Sequence, residues 1–417
     1  MRPRIALLMV VALLAAGCGG GEEDTTPAQS ATTPPTMPTT TPPTTQPAAD
    51  VAAETGTDTR TSTEVDTIEM SREVDPDQLQ SIVDTWGEQL GVPVLAASVR
   101  SPDGTVTSVD HFADGQAPTE PPQFLIGSIG KTMTAATTML LVENGVLDLD
   151  TPIERWLPDF PRADEITLRL LLAHRSGLAR RDLVSGLEPS LAALATFEDI
   201  LTPSELLSVA ADSVGDEPLP APFAYSNPAY HVVGAVIEAA TGQSLADVME
   251  ARIFEPLAMT DTFLAWPEQV DRLVPGHLLV PEDIVIPLST AAARGASSQS
   301  WASGGQVSTT ADVATFFGEI DGDLLSAASV EEMTTPLPGA PHIGLGIDEF
   351  VWPDIGTGWG HAGGGVTGQT CVGVVTGDGW SGAVCMNRFD VESIADPDAS
   401  EIWDIYRELI ASTGPQS

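Results

Sequence analysis

Lysine is all but missing from this sequence. Among 417 residues there are 17 Lys+Arg, and Lys131 is the one lysine; the rest are arginines. A lone amine in an arginine-using chain marks a place that needs what a guanidinium cannot do, which is to lose a proton when desolvated and act as a base. Cations as a whole are scarce: 59 Asp+Glu stand against those 17, for a formal net charge of −42. That balance argues against nucleic acid as a partner and against adhesion to anionic headgroups, since both favour a positive surface. Long apolar runs are missing too, and the stretch Ile5 to Leu14 is too short for a comfortable transmembrane helix. The histidines outside the candidate site (His111, His174, His231, His277 and His342) show no metal-ligand spacing. No metal and no cofactor is expected.

The amino terminus reads as an export signal. Arg2 and Arg4 supply the positive end, Ile5 to Leu14 the apolar core, and Ala15-Ala16-Gly17-Cys18 a small-residue cleavage region, so residues 1–18 form a signal peptide. Cys18 directly after it resembles a bacterial lipobox, although Ala15 stands where that pattern usually has leucine. Lipidation of Cys18 implies a lipoprotein on the outer side of a bacterial membrane; a plain cleaved signal implies a secreted protein. Residues 19–75 are rich in threonine, proline, alanine and acidic residues. Such a segment has too little apolar surface to offset the entropy of ordering, and it reads as a disordered tether.

The folded part is expected over 76–412, with 413–417 a tail. Helical periodicity covers Asp75 to Leu90, and Gly91 stops it. Two strands, Val92 to Arg100 and Thr105 to His111, flank the turn Ser101-Pro102-Asp103-Gly104. Helical patterns follow at Thr132 to Glu143, Ile166 to His174, Pro203 to Ala211, Pro228 to Ala240 and Leu245 to Ile253. Strand-like segments return at Ile343 to Val351 and on both sides of Gly377-Asp378-Gly379, and Asp398 to Ala411 closes the chain as a helix. The expected fold is α+β: one antiparallel sheet built from remote segments and flanked by helices, with a helical subdomain inserted at about 150–300. A hairpin centred on Asp378 sets Cys371 opposite Cys385, an arrangement open to a cross-strand disulfide or to two buried thiols.

Lys131 follows Ser128 by three residues, so both side chains share a helical face. A serine hydroxyl is a weak nucleophile until a neighbouring base takes its proton, and burial makes an amine easier to deprotonate. The free N–H groups at a helix start favour developing negative charge. Two look-alikes fail. A phosphate-binding loop ending in Gly130-Lys131-Thr132 needs glycine where Leu125 stands. The Gly-x-Ser-x-Gly signature needs glycine at Ile126.

The Ser128–Lys131 pair followed by a helix resembles the serine β-lactamase and penicillin-binding protein superfamily. A second motif of that superfamily is matched by Tyr225-Ser226-Asn227, and a third by His361-Ala362-Gly363, ahead of an apparent strand. Leu171 to Leu178 and Ser303 to Thr309 are similar to recurrent segments of the same family. Tyrosine in the second motif and histidine in the third are similar to class C β-lactamases, D-alanyl-D-alanine carboxypeptidases and their esterase or amidase relatives. The resemblance implies a β-lactamase/transpeptidase-like fold and an acyl-enzyme on Ser128, with Lys131 and Tyr225 sharing proton transfer. It further implies an oxyanion hole from the N–H groups of Ser128 and Gly364, a substrate-binding Asn227, Gly363 of the third motif among the substrate-binding and oxyanion residues, and His361 near the tyrosine hydroxyl. Ala362 and Gly364 replace the hydroxyl residues often used to bind a peptide's terminal carboxylate, and histidine replaces the lysine of most β-lactamases in this branch. The expectation is therefore a serine hydrolase of ester or amide substrates. D-alanyl-D-alanine carboxypeptidase and β-lactamase activities are the alternatives, followed by an idle binding or sensor protein. The expected partner is a small-molecule or peptide acyl substrate; the sequence leaves the oligomeric state open.

Overall fold

Asp75 accepts the amide N–H groups of Asp77 and Gln78, so helix α1 (Pro76–Leu90) begins on a side-chain cap with proline in its first turn, and it stops at Gly91. A computed structural model of the chain describes residues 74–178, 199–264, 272–280, 284–365, 367–390 and 401–413. Cys18, the signal-like segment and the tether through residue 73 lie outside them. After α1 come strands β1 (Val94–Arg100), β2 (Val106–Phe112) and β3 (Phe124–Leu125), then helix α2 (Ile129–Glu143). The middle of the chain holds α3 (Leu168–Leu172), α4 (Pro203–Asp212), α5 (Asn227–Thr241) and α6 (Leu245–Met249). Then follow β4 (Phe263–Leu264), β5 (His277–Val280), β6 (Ile284–Pro287), α7 (Thr290–Ser300), β7 (Gln306–Ser308), α8 (Thr310–Glu319) and α9 (Ala327–Thr334). The last elements are β8 (Asp348–Trp352), β9 (Gly356–Gly364), β10 (Thr370–Thr376), β11 (Ser381–Met386), β12 (Arg388–Asp390) and α10 (Glu401–Ser412).

Six strands form one antiparallel sheet in the order β2-β1-β11-β10-β9-β8, so the first strand pair meets four strands from near the other end of the chain. Side-chain alternation splits its faces. Leu95, Ala97 and Val99 of β1 pack with Leu79 and Val83 of α1 and Ile402, Tyr406 and Leu409 of α10. Ala96, Cys371, Ala383 and Cys385 point the other way, into a larger core shared with α2, α5 and α8. Cys371 and Cys385 are paired in register and joined as a disulfide. The α+β expectation and the antiparallel sheet flanked by helices hold.

Helix α2 runs through that larger core, and nearly every residue from Ile129 to Leu141 is buried. Each buried isoleucine or methionine there contributes about 1.5–3 kcal/mol of apolar transfer. Its threonines are not left unpaired: Thr132 donates to the Gly346 carbonyl and Thr134 to that of Ala302, both at 2.7 Å, while Thr137 and Thr138 bond back into the helix. A helix clamped on all sides is a rigid mount for the residues at its start.

Local expectations needed correcting. His361-Ala362-Gly363 precedes a strand, β10, as expected, but also lies on one itself, β9. Ile166 to His174 yields only the short α3, because His174 adopts φ +55° and ends it. Past Met249 the helix widens into a π-type turn, Glu250–Phe254. The 150–300 stretch is not helical throughout, since it also holds β4, β5 and β6.

Candidate active site

Ser128 sits at the entry to α2, yet its hydroxyl makes no helix-capping bond. Gly127 turns the chain into it with φ +55°, a conformation that disfavours any side chain. Freed from capping, Ser128 Oγ takes a hydrogen bond from Lys131 Nζ at 3.0 Å and another from the Tyr225 hydroxyl at 2.7 Å. Lys131 is completely buried, one turn along α2. Its ammonium also donates to the Ser303 carbonyl at 2.8 Å and lies 4.8 Å from the centre of the Tyr225 ring and 5.5 Å from that of Tyr230. The Ser303 carbonyl is presented by a short turn, Trp301–Ser303, in which Trp301 takes φ +32°. Gly304 behind it presses so closely on Gly127 that an added Cβ would lie 2.6 Å from the Gly127 carbonyl.

Tyr225-Ser226-Asn227 enters from the start of α5. The cap of that helix is Ser226, whose Oγ accepts the Ala229 N–H, so Asn227 is relieved of the capping role its position before proline offered. Asn227 Oδ1 is buried and makes no hydrogen bond among the described residues. Such an atom is costly unless a ligand or water satisfies it.

Gly363 and Gly364, at the end of β9, lie against the turn that carries the serine. A Cβ on Gly363 would sit 1.9 Å from the Ile126 carbonyl oxygen and 2.8 Å from the Ser128 nitrogen, and one on Gly127 would sit 2.8 Å from the Gly364 nitrogen. The backbone amides of Ser128 and Gly364 are thus brought together by mutual absence of side chains. Two histidines flank the tyrosine. His361, on β9, has its ring centre 6.4 Å from that of Tyr225; its Nδ1 donates to the Ala362 carbonyl at 2.5 Å, and Nε2 lies 3.9 Å from the Asp348 carboxylate. Burial, helped by the charge of Lys131, lowers its pKa to about 3, so it is a neutral polar group at physiological pH. His174 stacks on Tyr225 with ring centres 4.6 Å apart, and it too is held well below the ordinary histidine value, first by burial and then by Lys131 and His361. Among the described residues no group of three His, Cys, Asp or Glu could hold a metal ion.

A family model described as Beta-lactamase matches residues 79–407, a span that takes in Ser128, Lys131, Tyr225, Asn227, His361 and both glycines. The chain belongs to the beta-lactamase family. It has that family's fold and is a serine hydrolase of that family. Penicillin-binding protein 4 of Amycolatopsis lactamdurans is 31% identical over 272 residues, covering 61% of this chain and 65% of that protein. Esterase EstB of Burkholderia gladioli is 34% identical over 171 residues, covering 39% of this chain and 43% of the esterase. The alignments thus span less than two thirds of these relatives' own lengths. Among solved structures, a D-stereospecific amidohydrolase from Streptomyces sp. superposes with a TM-score of 0.64 at 29% identity, covering 75% of this chain and 94% of that one.

The residues singled out from sequence motifs come together: Ser128, Lys131, Tyr225, His361, Gly363 and Gly364 meet where α2, β9 and the segment before α5 join, and Asn227 opens α5 two residues after Tyr225. Two contributors escaped notice. The Ser303 carbonyl is a backbone atom and carries no side-chain signature. His174 was visible within the Leu171 to Leu178 segment, but nothing in its neighbours tied it to a tyrosine fifty residues on.

Proposed function

We propose that the protein is an exported serine hydrolase that opens ester or amide acyl donors through an acyl-enzyme on Ser128. The observation that carries this is the Ser128 hydroxyl held between an amine at 3.0 Å and a phenol at 2.7 Å. In the first half-reaction Oγ attacks the acyl carbonyl while its proton passes to the Lys131–Tyr225 pair. The carbonyl oxygen, now negative, is received by the amides of Ser128 and Gly364, donors whose electrostatic aid is usually a large catalytic term. The pair then returns the proton to the departing alcohol or amine as the tetrahedral centre collapses to the ester of Ser128. Water, deprotonated by the same pair, repeats the sequence in reverse and frees the acid. Asn227 Oδ1, buried and unsatisfied, accepts from the acyl side of an amide substrate. His361, neutral, contributes a fixed dipole beside the phenol.

Similarity to an esterase and to a D-stereospecific amidohydrolase supports ester and amide substrates. A second reading, D-alanyl-D-alanine carboxypeptidase action on cell-wall peptides, draws support from similarity to a penicillin-binding protein. Ala362 and Gly364 weigh against it because neither offers a hydroxyl to a terminal carboxylate. Export and anchoring through Cys18 are proposed from the signal-like amino terminus, and the buried Cys371–Cys385 bridge suits an oxidising compartment. Turnover of p-nitrophenyl acyl esters, D-amino-acid amides, D-alanyl-D-alanine peptides and nitrocefin, with Ser128→Ala alongside, tests the reading. Ester or amide turnover is expected to exceed the other two and to vanish in Ser128→Ala. Dominant peptide turnover overturns the substrate ordering, and persistent turnover in Ser128→Ala overturns the mechanism. Mass spectrometry of the mature amino terminus is expected to find Cys18 first and lipidated.

A further inference from the structure

Tyr225 is the last residue but one of a tract, Ala221 to Ser226, that belongs to no helix or strand. Something other than a regular ladder must therefore hold its phenol against Ser128. That support comes from the segment after α3. Gly177 accepts the Gly215 N–H, and Arg175 accepts the Ala221 N–H and returns a guanidinium bond to the Ala221 carbonyl. His174 completes the series with the bonds nearest to Tyr225. Its carbonyl accepts the Ala224 N–H at 3.0 Å, its Nδ1 accepts the Ser226 N–H at 3.0 Å, and its ring stacks on Tyr225 itself. The residues on either side of the tyrosine and the tyrosine ring are thus all gripped by one side chain and its own backbone.

We propose that His174 is a positioning residue for Tyr225, fixing the tract so that the phenol meets Ser128 Oγ; the proposal rests on the catalytic reading of Ser128 and Tyr225 given above. Three observations carry it. A non-glycine residue at φ +55° persists only where its surroundings over-determine it. The helix that follows has its own cap in Ser226 Oγ, so the bond from Ser226 N–H to His174 Nδ1 is not needed to start α5. Because that N–H is a donor, Nδ1 must be bare and the ring proton must ride on Nε2, the opposite tautomer to His361. The ring also touches Phe223 edge-on at 5.8 Å and Tyr230 at 5.2 Å, which holds its plane.

Two variants and one spectrum test this. His174→Ala removes ring and acceptor together. His174→Asn restores an acceptor for the Ser226 N–H, tolerates positive φ, and still lacks the ring. With a p-nitrophenyl ester at saturation, His174→Ala is expected to lower kcat on the order of 10- to 100-fold, the range in which a displaced catalytic group costs rate, with KM within twofold. His174→Asn is expected to recover part of that loss. A folded His174→Ala with kcat within twofold of the parent overturns the proposal, as does a fall in kcat that tracks thermal stability and KM with no recovery in His174→Asn. In the parent protein, nitrogen NMR of labelled histidines is expected to show His174 neutral with its proton on Nε2. A proton on Nδ1 refutes the proposal whether or not the variants fold. If Ser128→Ala retains turnover, the catalytic reading itself has failed. If Ser128→Ala is dead while His174→Ala matches the parent, only the role of His174 has.

Discussion

Gly363→Ala places one methyl group where the structure leaves no room for it. The new Cβ would sit 1.9 Å from the Ile126 oxygen, 2.9 Å from the Ile126 carbonyl carbon and 2.8 Å from the Ser128 nitrogen. All three are backbone atoms, so no rotamer change relieves the clash. Recovering ordinary contact at about 3.5 Å requires the end of β9 to retreat by roughly 1.6 Å from the serine turn. Gly364, the next residue, retreats with it, and its amide moves away from the oxyanion position. Loss of one such donor typically costs about 10²–10³ in rate, or roughly 3–4 kcal/mol of transition-state stabilisation. Overpacking adds about 1–3 kcal/mol of destabilisation. The assay is the pre-steady-state burst of p-nitrophenol, which reports acylation directly, together with thermal unfolding. Gly377→Ala is the control, because a Cβ there meets only the Thr357 carbonyl at 3.6 Å on the same sheet. Acylation within fivefold of the parent in a folded Gly363→Ala would refute the claim that glycine contact sets the oxyanion gap.

Other perturbations separate the remaining roles. Lys131→Arg keeps a positive charge but forces a larger, always protonated head into a fully buried site with partners at 2.8 and 3.0 Å; kcat is expected to fall by about 10² or more, and retention of most activity refutes the amine's part in proton transfer. Tyr225→Phe deletes only the hydroxyl at 2.7 Å and keeps the ring for His174. It should cost about 10²–10⁴ in kcat with little change in melting temperature, and a small rate effect removes the phenol from the relay. Asp110, on β2, is raised by burial from 3.8 to about 6. Between those values the folded state binds the extra proton, so Asp110 makes stability fall as pH rises from 4 to 6 and leaves it level above. Asp110→Asn should therefore gain on the parent across that window, by on the order of 2–3 kcal/mol at most, and a pH-independent difference in urea unfolding contradicts this.

The sequence disclosed most readily what is periodic and capped. Helix α1 shows its Asp75 cap, Pro76 and Gly91 stop in three letters, and α5 shows proline and Gly242 in the same way. Strand β9 was hidden because Gly356 to Gly364 is glycine-rich and reads as loop; its strand character comes from pairing with β8 and β10. That is a tertiary override of propensity, and its reason is close packing: a side chain at 363 would push the strand off the serine turn, and one at 364 would press on Phe389 and the Gln369 carbonyl. Ser128, Lys131, Tyr225 and Asn227 were legible because side-chain chemistry at fixed spacing is written in the sequence. The Ser303 carbonyl was not, because a backbone acceptor can be supplied by any residue.

The environment of Lys131 explains why this position keeps an amine. Two rigid acceptors, Ser128 Oγ and the Ser303 carbonyl, lie 3.0 and 2.8 Å from one nitrogen, and two aromatic rings approach it. A compact head with rotatable donors fits that space; a planar fork does not. Lys131 also contributes to holding His174, His231 and His361 neutral, after burial itself. A second cation about 5 Å away would be opposed by roughly 3 kcal/mol even at an effective dielectric of 20. In the proposed mechanism, proton traffic is therefore confined to Lys131, Tyr225 and Ser128. With serine neutral, the reactive state has two forms of equal charge, neutral amine with phenol or ammonium with phenolate. They differ only in where one proton sits, so a pH–rate profile reports the pair and not its members. Comparing the two variants does separate them. If the amine is the base, Lys131→Arg, which cannot shed its proton, loses at least as much acylation as Tyr225→Phe. If the phenolate is the base, Tyr225→Phe loses more, because an arginine still supplies the positive charge that stabilises a phenolate.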